Sequence, residues 1–239
     1  MTCNFSANYV LSSYVATEDM LSEFLQFVPF DGNSKVWSSK LVTILLEACS
    51  QLGSLWEYQA RKSPYVRKRD LNIKDYFTYF GANVAPKWLV FWGEESEQIF
   101  PFDEWRNKVS YTEQTYMELE WWKTYNNLKH DRIAYRFEAT LEKAIRALAG
   151  LYLAILRCEE CREASVYTWM HHNDHPYPAY LDDESSSGTA VCVTVETKLF
   201  TYAPYWGRQP IPPKAIWGGG NIRFRNWLER ESAIQHKMP

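Results

Sequence analysis

In the stretch ELEWWKTYNNLKHDRIAYRF, Glu118 to Phe137, the side chains able to do chemistry recur at helical spacing. Lys123, Asn126, Asn127 and His130 are offset by three, four and seven residues. Seven residues advance a helix by almost two turns, so these side chains share one face. Histidine is the side chain that titrates nearest neutral pH, so His130 is the residue of this stretch that could do acid–base chemistry, with Lys123, Asn126 and Asn127 as its polar companions. Trp121, Tyr125, Leu128 and Arg132 define an adjacent face. Two readings are open. Either the apolar face enters a core while the polar face lines a groove or a partner surface, or Asn and His only hydrogen-bond to a neighbouring helix or loop carbonyl.

Further cations could serve a nucleic-acid site. Lys129 and Arg132 flank the histidine, and RKSPYVRKR places five cations in nine residues, Arg61, Arg67, Lys68 and Arg69 among them. A net charge of -3 argues against a polyanion binder over its whole surface and leaves room for such a local basic site. The competing reading is a solvated loop. A second constellation, LRCEECREASVYTWMHHNDHP, offers Cys158, Cys161, His171 and His175 as a tetrahedral zinc set, with His172 beside them. Its alternative is a pair of buried thiols followed by a polar loop. There is no nucleophile elbow or Walker loop, and the WGGGN run, Trp217 to Asn221, lacks the strand and helix that a phosphate cradle needs. No cofactor is expected.

Three apolar stripes predict the helices that position these residues. Val10, Tyr14, Thr17, Leu21, Phe24 and Val28 form the first, and Leu41, Leu45, Ala48, Leu52 and Leu55 the second, with Ser38 and Ser39 before it as a cap. The third is Phe137, Leu141, Ala144, Leu148, Leu151 and Ile155. Each buried side chain of this kind is worth roughly 1.5–3 kcal/mol, so the stripes must pack together as a bundle. Between the second and third lie short helices and irregular connections, and the motif helix is expected to begin near Thr112. After about Met170 the composition turns to loop, followed by AVCVTVETKLFTYAPYW, which alternates enough for one or two strands, and by a possible terminal helix. The division expected is therefore a helical domain over 1–164 and a loop-rich C-terminal extension over 165–239.

With 239 residues the chain can bury a sizeable core, and 46% hydrophobic and 16% aromatic residues exclude a disordered one. The longest apolar run, Ala147 to Leu156, falls far short of the ~20 residues that span a bilayer. The opening MTCNFSANY lacks the basic start and apolar block of a secretory signal, and five cysteines without framework spacing suit reduced thiols. A cytoplasmic setting without membrane contact is the expectation.

The succession VWSSKLVTILLEACSQLGSLWEYQAR, LNIKDYFTYF and WWKTYNNLKHDRIAYRFEATLEKAIRALAGLYL resembles bacterial proteins of the HEPN type, over roughly residues 5–160. These are small helical bundles tied to RNA cleavage and to toxin-antitoxin or anti-phage defence. Their motif is an Arg and a His with four to six residues between them, and a polar residue after the Arg. His130 matches the histidine, Asn126 or Asn127 the polar residue, and Lys123 stands at the outermost place that the spacing allows for the Arg. The resemblance implies a metal-independent endoribonuclease: His130 as base toward a ribose 2′-OH, a 2′,3′-cyclic phosphate product, and a homodimer whose two copies build one groove. A non-catalytic helical module is the other class, its polar stripe a dimer or partner interface and its aromatic-rich extension contacting a protein.

Overall fold

Each of the three apolar stripes marks a long helix in a computed structural model of the chain, which describes residues 5–64, 66, 68–92, 96–106, 115–161, 164 and 197–202. Helix α1, Ala7–Phe27, is capped by Ser6, whose hydroxyl accepts the Tyr9 N–H, and it buries Tyr14, Thr17, Leu21 and Leu25. Helix α2, Ser39–Arg61, starts at the predicted serines: the Ser38 hydroxyl accepts the Leu41 N–H at 3.1 Å. Its stripe from Leu41 to Leu55 is buried, and Val42, Ile44, Cys49 and Trp56 widen the covered surface.

Helix α7, Leu141–Leu156, is the centre of the core. Every residue from Ala147 to Ile155 is buried, more than one stripe requires, because α2, α1 and α5 all pack on this helix. A helix covered all round must be apolar all round, and Ala147 to Leu156 is. Gly150 allows a close approach: a β-carbon there would lie 3.2 Å from Phe102 Cζ and 3.4 Å from the Trp121 ring. The third stripe is corrected at its first member. Phe137 stands outside α7, in a 3-10 turn at Arg136–Glu138, 49% exposed, because extended Thr140 caps the helix and restarts its register at Leu141.

The region between α2 and α7 holds more regular structure than expected. Helix α3, Ile73–Val84, opens with a capping box made by Asn72 and Asp75. Strands β1, Leu89–Trp92, and β2, Ser96–Ile99, pair antiparallel, and a short helix α4, Asp103–Arg106, follows. Strand β3, Phe200–Tyr202, lies in the segment expected to contain strands and pairs antiparallel with the other side of β1, in the order β2-β1-β3. As the central strand, β1 buries Leu89, Val90 and Phe91 on both faces. The helical domain expected over 1–164 is therefore corrected to a helical bundle with a hairpin set into it. The motif helix, α5, runs Glu120–His130 and does not begin near Thr112. Residues 115–119 are irregular: Tyr116 packs edge-on to Phe77, and the Met117 carbonyl accepts from Trp105 Nε1 at 2.9 Å, which fixes that stretch outside a helix. Helix α6, Arg132–Tyr135, follows α5 directly. Among the described residues no helix is long and apolar enough to cross a membrane.

Candidate functional site at the end of α5

The apolar face of α5 anchors the helix. Trp121 is fully buried and donates from Nε1 to the Pro101 carbonyl at 2.9 Å, and Trp122 and Leu128 are buried beside it. That anchoring turns Lys123, Asn126, Asn127 and His130 outward together, but their environments differ. Lys123 is exposed and lies 3.6 Å from Glu118, a loose surface pair. Asn127 is half-buried and donates from Nδ2 to Glu138 Oε2 at 3.1 Å. The same carboxylate oxygen accepts from buried Thr124, whose hydroxyl in turn accepts from Lys143 Nζ at 2.8 Å. Asn127 thus ties α5 to the turn that leads into α7. Asn126 is half-buried and His130 exposed, and no other described residue hydrogen-bonds to the His130 imidazole.

The helix ends at His130 because Asp131 leaves helical geometry and caps the next segment, accepting the Ala134 N–H at 3.0 Å. Arg132 therefore belongs to α6 and does not continue the Trp121 face. The surface around this break is both cationic and apolar. Lys129 sits 5.8 Å above the Tyr125 ring, and the Arg136 guanidinium lies 4.0 Å over Phe137. Phe137 meets Trp37 edge-on at 4.4 Å, and Ile133 and Tyr135 are exposed alongside in sequence. Burial raises the Tyr125 phenol above its ordinary value, so it stays neutral. No protein family, curated protein or solved structure matches the chain.

The other predicted cations sit on different elements. Arg61, at the end of α2, donates to Glu57 from Nε at 2.9 Å and also to the Lys68 and Arg69 carbonyls. It closes its own loop. Lys68 pairs with Asp75 at 2.6 Å, Arg69 is exposed, and Arg67 lies outside the described residues. Of the zinc set, Cys158 and Cys161 are both buried, while His171 and His175 lie outside the described residues. Among the described residues no cluster of three or more metal-ligating side chains occurs.

Sequence reasoning missed Glu138, Thr124 and Lys143, the partners that hold the polar stripe. The signal was present in FEATLEK, where Thr140 three residues before Lys143 marks a helix start and so puts Glu138 in a turn. One consequence is measurable. Asn127→Ala removes a partly buried hydrogen bond to a carboxylate and is expected to lower unfolding free energy in urea by about 1 kcal/mol. An unchanged midpoint would mean that Asn127 has no positioning role.

Proposed function

We propose that the surface at the junction of α5 and α6 binds RNA and that His130 is its catalytic base. The observation that carries this reading is that His130 is exposed at the end of a firmly anchored helix, hydrogen-bonds to no other described residue, and is followed by exposed Arg132, Ile133 and Tyr135. Cations interleaved with aromatic rings suit single-stranded RNA, because the cations meet phosphates and the rings accept stacked bases. The resemblance to HEPN proteins supplies the reaction. The His130 imidazole takes the proton of a ribose 2′-OH, that oxygen attacks the adjacent phosphorus, and the 5′-oxygen leaves, giving a 2′,3′-cyclic phosphate and a 5′-OH. Lys123 steadies the charge on the phosphate oxygens. Its pairing with Glu118 is no obstacle, since an exposed ion pair is worth at most about 1 kcal/mol. Asn126 orients the base or the phosphate, while Asn127 is a positioning residue. Two copies facing each other across α5 form the groove, and the activity fits a toxin-antitoxin or anti-phage defence setting in the cytoplasm.

The second reading is a binding module without catalysis. It is favoured by the engagement of Asn127 with Glu138, which removes that side chain from direct service to a ligand. His130→Ala separates the two. If His130 is the base, the variant loses RNA cleavage by roughly 100-fold or more on a sequencing gel, with its melting temperature unchanged, since an exposed imidazole adds little to the core. Lys123→Ala weakens cleavage as well. A folded His130→Ala protein that cleaves at the wild-type rate sinks the catalytic reading. Wild type that binds RNA or a protein without cleaving RNA establishes the module.

A further inference from the structure

Two thiols at the end of α7 take no part in that reading. Cys158 directly follows Arg157, the C-cap of α7, and residues 159–161 make one more helical turn. Cys158 and Cys161 therefore fall on the same side of that turn, where helix geometry places α-carbons about 5 Å apart, within the span that a disulfide bridges. Both side chains are buried, and both sulfurs are thiols. As a thiol Cys158 donates to Glu160 Oε2 at 3.4 Å. Hydrogen bonding from Cys161 holds the Cys158 thiol below its ordinary value in spite of burial, and the same interaction pushes Cys161 up.

The surroundings fix the pair in place. Glu160 accepts from the Tyr58 hydroxyl at 2.9 Å and pairs with Lys62, so the turn is bolted to the end of α2. Burial opposes ionisation of Glu160, yet these bonds bring its carboxyl down to about 2. Burial opposes the charge on Lys62, yet its bond to Glu160 raises the ammonium above its ordinary value. Of the two sulfurs, Cys158 is the one on which negative charge is favoured. Cys49 is the contrast: buried in α2, its thiol is pushed up by burial.

We propose that Cys158 and Cys161 are a redox-active dithiol that hydrogen peroxide converts to an intramolecular disulfide. Peroxide is the oxidant of choice for buried sulfurs because it is scarcely larger than water. In the first step the Cys158 sulfur attacks one peroxide oxygen, the S–O bond forms as the O–O bond breaks, and the departing hydroxide leaves as water with the thiol proton. In the second, the Cys161 sulfur attacks the Cys158 sulfenic acid, the S–S bond forms, and the hydroxyl leaves as water with the Cys161 proton. Two thiols have then lost two electrons to one peroxide, which has become two waters. Cys158 is the attacking residue because thiolate character governs nucleophilicity, and Cys161 is the resolving one.

The test uses the full chain, reduced and freed of small thiols, in native buffer with an equimolar amount of hydrogen peroxide. After quenching with an alkylating agent in denaturant, trypsin releases the peptide Cys158–Arg162. The expected peptide is lighter by two hydrogens and carries no alkyl group, Cys49 remains alkylated, and dithiothreitol restores the thiols. Cys161→Ser should stop at a Cys158 sulfenic acid that dimedone traps. Cys158→Ser should leave Cys161 open to alkylation. The proposal is overturned if both cysteines of the wild-type peptide are alkylated while a reference thiol peptide in the same tube has been oxidised. It is also overturned if chain purified without chelators holds stoichiometric zinc that protects both sulfurs from peroxide. The wild-type arm alone decides the matter, so a variant that fails to fold does not weaken the test.

Discussion

Leu148→Asp is expected to abolish cooperative folding. Leu148 is fully buried on α7, where α2, α1 and α5 close around the helix. Removing the leucine side chain costs about 2–5 kcal/mol in transfer and cavity terms. A carboxylate left there without a partner adds several kcal/mol more, or must be neutralised against its ordinary titration. The sum consumes most of the roughly 5–15 kcal/mol by which a domain of this kind is stable. The measurement is thermal melting by circular dichroism together with the soluble yield. Leu148→Met, which conserves volume, should cost less than about 1.5 kcal/mol and retain a sharp transition. Phe137→Asp sharpens the comparison, because the apolar spacing puts both residues on one stripe. Phe137 is half exposed and touches Trp37 and Arg136, so its loss should cost only about 0.5–1.5 kcal/mol. A cooperative melt of Leu148→Asp near the wild-type temperature would remove α7 from the centre of the core.

That contrast shows where local pattern is sufficient and where it fails. The Ser38 cap and the α1 and α2 stripes follow from neighbours a few residues apart, and they were readable for that reason. Strand β1 was not readable. LVFW is as apolar as a short buried helix, its partner β2 is mostly polar, and its other partner, β3, arrives more than a hundred residues later. The start of α5 depends on a bond from Trp105 to the Met117 carbonyl that no periodicity announces. The candidate site divides in the same way. The shared face of Lys123, Asn126, Asn127 and His130 is a property of helix spacing and was legible. Which of them remain available depends on Glu138, and so on a turn. The cations of the 61–69 stretch show the same limit: Arg61 is spent on its own loop, a use that composition does not reveal.

Glu18 carries the second large effect, because it is the point at which α1 grips the segment entering β3. Its Oε1 accepts from the Tyr14 hydroxyl at 2.8 Å, from the Leu199 N–H at 3.1 Å and from the Thr197 hydroxyl, and its Oε2 accepts from the Lys198 N–H at 2.9 Å. Thr197 also accepts the Phe200 N–H, the first amide of β3. Glu18→Ala leaves the Lys198 and Leu199 amides without this acceptor, and at about 1.5–3 kcal/mol for each bond to a charged group the loss should reach roughly 3–6 kcal/mol. Hydrogen exchange should show β3 detaching from β1 before the bundle unfolds.

Glu18→Gln then measures the cost of the buried charge. Burial raises the Glu18 carboxyl above its ordinary range even though four donors favour the ionised form. The other titratable groups facing this contact are Tyr14 and Tyr152 of the packed helices and Lys198, whose ammonium pairs with Asp19. They are common to both proteins and cancel in the comparison. A carboxyl whose folded value is raised stabilises most below its unfolded value, and that contribution is lost as pH rises through the folded value. The stability of wild type minus that of Glu18→Gln should therefore fall with rising pH, beginning in the ordinary carboxylate range and levelling off above the raised value. Urea titrations at a series of pH values read this difference directly. A difference that grows with pH across the same window would mean that the four donors outweigh desolvation, and that the ionised carboxylate itself is what fastens β3 to the bundle.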